Sequence, residues 1–199
     1  MDIIQKLTEE LQVKKWQVEA AVKLIDEGNT IPFISRYRKE ATGALNDEQL
    51  RDLGERLTYL RNLEDKKAQV ISSIEEQGKL TEELKAAIEA AQTQVAVDDL
   101  YRPYRPKRRT RATMAKEKGL EGLANIILLQ MTTTPLEIEA ESYLSEEKGV
   151  KNVQEAIAGA MDIIAESISD EADYRTWIRN KTLKEGEITS EAKDEKEQS

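Results

Sequence analysis

The segment NDEQLRDLGERLTYLRNLEDKKAQVISSIEEQG, from Asn46 to Gly78, constrains the fold more than any other part of the sequence. It contains no proline and only one internal glycine, Gly54. Leu50, Leu53, Leu57 and Leu60 recur at alternating steps of three and four, and Leu63, Val70, Ile71 and Ile74 prolong the stripe. That period is helical, because residues three and four apart share a helix face. Asn46 and Gln49 have the spacing of a capping box, which marks where the helix starts. The pattern predicts a helix of about 30 residues, roughly 45 Å long at 1.5 Å per residue. Its apolar stripe can zip to helices of the same chain or of another, with packing inside the chain favoured.

The rest of the sequence agrees with an all-α chain. Nine glycines and four prolines are few breakers for 199 residues, and Glu, Lys, Ala, Leu and Gln are strong helix formers. No segment alternates apolar and polar residues as a half-buried strand does. Ile3, Ile4, Leu7 and Leu11 predict a first helix. Val18, Ala21, Val22 and Ile25 predict a second over about 15–26, stopped near Gly28. Thr30 is placed to cap a short third helix, IPFISRYRKE, with Pro32 in its first turn. Three short helices with a tight turn before the last resemble a helix-turn-helix, although a generic three-helix bundle has the same signals. Beyond the long helix, Thr81, Thr110 and Pro135 mark further helix starts. The run 120–130 reads as deep core, 150–169 as a long amphipathic helix, and Asp170 as the cap of a last helix with Tyr174, Trp177 and Ile178 on its buried face. The expected organisation is a helix-turn-helix-like bundle over 1–45, a multihelical lobe over 46–184 and an acidic, mobile end over 185–199.

Charge is distributed unevenly. The net charge is −9, yet 101–118 holds eight basic residues and one acid, Glu117, a local +7 that leaves −16 for the remainder. As a whole such a chain repels nucleic acid and anionic membranes. With neither cysteine nor histidine, it can form no disulfide, no His- or Cys-based metal site and no catalytic dyad or triad built on those residues. The N-terminus does not read as a signal peptide, and no run reaches the roughly 18 apolar residues of a membrane span. A cytoplasmic location is the expectation.

The positive charge concentrates in DLYRPYRPKRRTRA, Asp99 to Ala112. Pro103 and Pro106 bias Arg102 and Arg105 away from helix, so 101–106 is expected to be extended. Arginine forks suit phosphate oxygens and tyrosines can stack on unpaired bases, which makes Arg105, Lys107, Arg108, Arg109 and Arg111 candidate nucleic-acid contacts. Equally, arginines can pin an irregular loop to acid-rich helices while Tyr101 and Tyr104 pack inward. A second basic cluster is Arg36, Arg38 and Lys39; on one helix, Arg36 and Arg38 cannot share a face. Carboxylate pairs such as Asp98/Asp99 are expected by chance among 39 acids, and neither a phosphate-binding glycine loop nor a serine-nucleophile motif occurs. The chain is therefore expected to be non-enzymatic, with no metal and no cofactor.

Three segments carry a family resemblance. IPFISRYRKEATGALNDEQLRDL (Ile31 to Leu53), RLTYLRNLEDKKAQVISSIEEQGKLTEEL (Arg56 to Leu84) and DLYRPYRPKRRTRATMAKEKGLEGLA (Asp99 to Ala124) resemble the bacterial Tex family of transcription accessory proteins. The resemblance implies a longer protein, in which an N-terminal helical region precedes an RNase-H-like domain, helix-hairpin-helix modules and an OB-fold RNA-binding domain. It implies nucleic-acid binding, RNA or DNA, linked to transcription, with the main affinity in the C-terminal domain, and it assigns no role to any residue of PYRPKRRTRA. The alternative expectation is a protein-interaction scaffold that docks those further domains or the transcription machinery.

Overall fold

The computed structural model describes residues 2–106 and 108–191; Lys107 and the last eight positions of the acidic end lie outside the described residues. The fold is all-α, with eleven helices among the described residues and a single isolated antiparallel bridge, Ser145 to Val150. Contacts concentrate within two units, Met1–Val97 and Asp98–Ser199.

The first unit is built on the long helix. It contains α1 (Ile3–Leu11), α2 (Lys15–Asp26), α3 (Ile31–Tyr37), α4 (Asp47–Glu76) and α5 (Glu82–Ala90), and the division falls within α6 (Gln94–Tyr101). The capping box at the start of α4 forms in both directions: the Gln49 amide N–H donates to Asn46 Oδ1 at 2.8 Å, and the Asn46 N–H donates to Gln49 Oε1 at 3.0 Å. Leu50, Leu53, Leu57 and Leu60 of α4 are buried in one core with Leu7, Val18, Ala21 and Ile34 of α1–α3. Two bidentate ion pairs tie α4 to the same helices, Arg56 to Glu10 of α1 and Arg61 to Asp26 of α2. Three helices of 9, 12 and 7 residues have too little apolar surface to stand alone. The first half of α4 is therefore part of their core, and the division lies at 97/98 instead of the expected 45/46.

The second unit surrounds α10 (Val153–Asp170), which touches α7 (Arg111–Glu117), α8 (Glu121–Leu129), α9 (Leu136–Glu141) and α11 (Ala172–Glu185). Its core is rich in small residues, with Ala112, Ala115, Ala140, Ala156 and Ala160 buried beside Leu120 and Leu123. Helices approach closely over such residues. A Cβ on Gly159 of α10 would overlap the Leu120 side chain.

Three expectations for this unit are corrected. The run 120–130 is not deep core throughout, because α8 buries only Leu123 and Ala124 and exposes Leu128 and Leu129; a continuous apolar run does not say which face is inward. Asp170 ends α10 and accepts a hydrogen bond from Arg102 instead of capping α11, which follows Glu171. Tyr174, Trp177 and Ile178 are exposed, because α11 is held by its arginines.

Candidate nucleic-acid interface

The basic stretch begins at the end of α6, and residues 102–105 form a turn in place of the expected extended segment. The Tyr101 carbonyl accepts from the N–H groups of Tyr104, at 2.9 Å, and Arg105, at 3.0 Å. The prolines permit this, since the turn takes its donors from residues 104 and 105, which have them. Thr110 then caps α7, its hydroxyl accepting from the Thr113 N–H at 3.0 Å.

The cations of this stretch divide into two kinds. Arg102 is structural: its Nε donates to Asp170 Oδ1 at 2.9 Å. Arg109 pairs with Glu117 at 2.6 Å and Arg111 lies 3.5 Å from Asp162, both guanidinium groups largely exposed. Exposed pairs of this kind contribute about 0–1 kcal/mol, so both arginines can exchange partners. Arg105 and Arg108 are exposed and form no ion pair among the described residues. Lys107 lies outside the described residues. Of the five candidates, two are thus unpaired and two loosely held.

Of the acids flanking the stretch, Asp99 is turned to another partner. Asp99 is 3% exposed, and its two carboxylate oxygens accept from Arg175 Nε and Arg179 Nη2 of α11, each at 2.6 Å. Burial pushes this carboxyl up, but the two arginine hydrogen bonds and charges outweigh it and hold its pKa below the ordinary 3.8. Asp99 is thus engaged by α11 and forms no ion pair with the basic stretch. The sequence gives no direct signal for that pairing, which spans 76 and 80 positions.

The second cluster is better organised than its spacing suggests. Arg36 is in the last turn of α3, and the chain leaves helical geometry at Arg38, with φ −129° and ψ 24°. The rule that separates residues two apart on a helix no longer applies there. Arg36, Arg38 and Lys39 line one shallow concavity of about 490 Å³, together with Tyr37, Glu40 and Ala41. All three cations are exposed and form no ion pair among the described residues. Phe33 and Tyr37, one helical turn apart, bring their rings to 5.3 Å, and the Arg38 guanidinium stands 5.2 Å over the Phe33 ring. These aromatics were missed in the sequence, although F-x-x-x-Y at helical spacing beside three cations is a readable signal.

The turn that carries these cations is pinned. Gln17 Nε2 of α2 donates to the carbonyls of Thr42, at 3.3 Å, and Gly43, at 2.9 Å. The buried Thr42 hydroxyl donates to the carbonyls of Arg38 and Lys39. Among the described residues no group of three or more acids is placed to hold a metal ion, and no helix is long and apolar enough to cross a membrane.

Comparison with known proteins matches both ends of the chain to one family. Residues 1–75 match the Tex-like protein N-terminal domain, and residues 131–199 match the Tex central region. The chain is 48% identical to the protein YdcI of Bacillus subtilis over 94% of its own length and 26% of that relative. It is 46% identical to the transcriptional accessory protein Tex of Neisseria gonorrhoeae over 99% of its length and 26% of that relative. It is 32% identical to the human S1 RNA-binding domain-containing protein 1 over 90% of its length and 18% of that relative. The chain spans about a quarter of the length of the bacterial relatives. Two family matches in chain order, carried on one all-helical fold, show that it belongs to the Tex family as its N-terminal region.

Proposed function

We propose that this chain is a non-enzymatic, nucleic-acid-contacting region of a transcription accessory protein, acting in the cytoplasm. One observation carries the reading: in a chain of net charge −9, Arg36, Arg38 and Lys39, and separately Arg105 and Arg108, are exposed in clusters without carboxylate partners among the described residues. Most other arginines are paired, as Arg56, Arg61, Arg102, Arg175 and Arg179 are. Like charges grouped at a surface attract an anion, and phosphate is one that arginine forks bind through two oxygens at once. The relatives' names, a transcriptional accessory protein and a protein with an S1 RNA-binding domain, support this class of partner.

The test is fluorescence anisotropy of labelled single- and double-stranded oligonucleotides across a salt series. Binding is expected to weaken with salt, with a slope of log K against log salt of about −2 for three phosphates on a single strand. Charge reversal of both clusters is expected to abolish it with helicity intact. A second reading, a scaffold that docks the further parts of the longer protein, is favoured by the exposed Trp177, Ile178 and Leu183 of α11. It expects no oligonucleotide binding even at the lowest salt, a result that would overturn the first.

A further inference from the structure

We propose that Phe33, Arg36, Tyr37, Arg38 and Lys39 form a binding site for single-stranded nucleic acid, with Tyr37 as the platform on which an unpaired base stacks. The proposal rests on the reading that this region contacts nucleic acid, and it names the site and the ligand class.

Four observations carry it. Tyr37 is a large aromatic with 66% of its surface exposed, supported along one edge by the Phe33 ring, itself under the Arg38 guanidinium. A ring that buries little of itself in the fold yet is held in place has its face available to a ligand. Arg36, Arg38 and Lys39 line one concavity together with Tyr37, with Glu40 as the only acid on its lining. Four carbonyls of this turn already accept hydrogen bonds within the fold. Those of Arg38 and Lys39 accept from the N–H groups of Thr42 and Ala44, and the Thr42 and Gly43 carbonyls accept from Gln17. These bonds also fix the turn before any ligand arrives, which lowers the ordering cost of binding.

The aromatic selects the strand state. Base faces in a duplex are covered by their neighbours, whereas an unpaired strand offers each base a face to stack and its backbone a row of phosphates. Stacking of this kind tolerates any base, so sequence preference is expected to be weak. RNA and single-stranded DNA share the chemistry and are separated by the experiment.

The whole 199-residue chain is titrated into labelled oligo-dT, oligo-rU and a mixed duplex, each of about 12 units, within the range of single-strand site sizes. Tyr37→Ala is expected to weaken single-strand binding at least about fivefold, the low end for one stacked base, and Tyr37→Phe to restore it. Arg36→Glu, Arg38→Glu and Lys39→Glu together are expected to remove binding, with the helical circular dichroism unchanged. Preference for rU over dT, or the reverse, identifies the source of the strand, and either supports the site. Single-strand binding that Tyr37→Ala leaves unchanged but Arg105→Glu with Arg108→Glu removes would overturn this site while leaving nucleic-acid contact standing. Duplex binding tighter than single-strand binding and indifferent to Tyr37→Ala would also overturn it. If the unmodified chain binds none of the three at low salt, both the site and the broader reading fail.

Discussion

At Gly43 and Ala44, adjacent residues carry opposite demands on the turn that presents Arg38 and Lys39. Both have positive φ, 62° and 60°, a conformation that costs an L residue roughly 1–2 kcal/mol and glycine little. At Gly43 an added Cβ would overlap the Trp16 ring and the Gln17 amide that holds the turn. Gly43→Ala is therefore expected to destabilise the protein by about 2 kcal/mol, seen as a lower urea midpoint with an unchanged m-value. Ala44→Gly relieves the same backbone cost but frees the unfolded chain, which offsets part of the gain. A small stabilisation, about 0.5 kcal/mol, is expected. Effects equal in size and opposite in sign would mean that side-chain contact with Trp16 contributes nothing at Gly43. The pair also shows what residue-level reading can reach. Thr42 and Gly43 suggest a turn in the sequence, but the indole and amide that favour glycine at position 43 lie in α2.

Elements differ in what made them legible. Helix α4 was readable because one residue type repeats at helical spacing between a capping box and Gly78, and the structure carries it from Asp47 to Glu76. Helix α11 was readable as a helix, but its buried face was assigned wrongly because its attachment is ionic. Arg175 and Arg179, one helical turn apart, share the carboxylate of Asp99, and nothing in a hydrophobic pattern reports that. Asp99→Asn tests the attachment. An amide has one acceptor oxygen where the carboxylate has two, and its NH₂ group faces a guanidinium donor. A cost of about 2 kcal/mol near neutral pH is expected. That is less than the 3–5 typical of a broken buried pair, because both arginines keep some solvent contact. The pH dependence has a definite sign. The Asp99 pKa is lower in the folded protein than its ordinary 3.8, so its stabilisation is complete above that value and fades as pH falls through the lower, folded value. Urea denaturation of the two proteins should show a gap that is constant from pH 7 to about 5 and narrows below about pH 4. A gap that persists undiminished well below that range would mean that the charge of Asp99 is not what holds α11.

At the scale of the whole molecule, the division at 97/98 separates two cores of different character. The first is leucine-rich and built on the stripe of α4, and the second is alanine-rich and built on close approach to α10. The sequence placed a boundary at 45/46 because Asn46 starts a new element, but a boundary between elements is not a boundary between cores. Leu50, Leu53, Leu57 and Leu60 complete the bundle that precedes them. Contacts concentrated within units imply that damage to one core stays local. Leu53 is fully buried in the first core, and Leu53→Ala is expected to cost about 3 kcal/mol through lost burial and the cavity it leaves. Native-state hydrogen exchange should then accelerate at the amides of α1, α2 and the first half of α4, which report opening of that core. Amides of α7, α8 and α10 should keep their protection, because every buried partner assigned to their core lies within the second unit. Uniform acceleration through both sets would mean instead that the chain opens as one cooperative body, with α6, the helix in which the division falls, transmitting the loss.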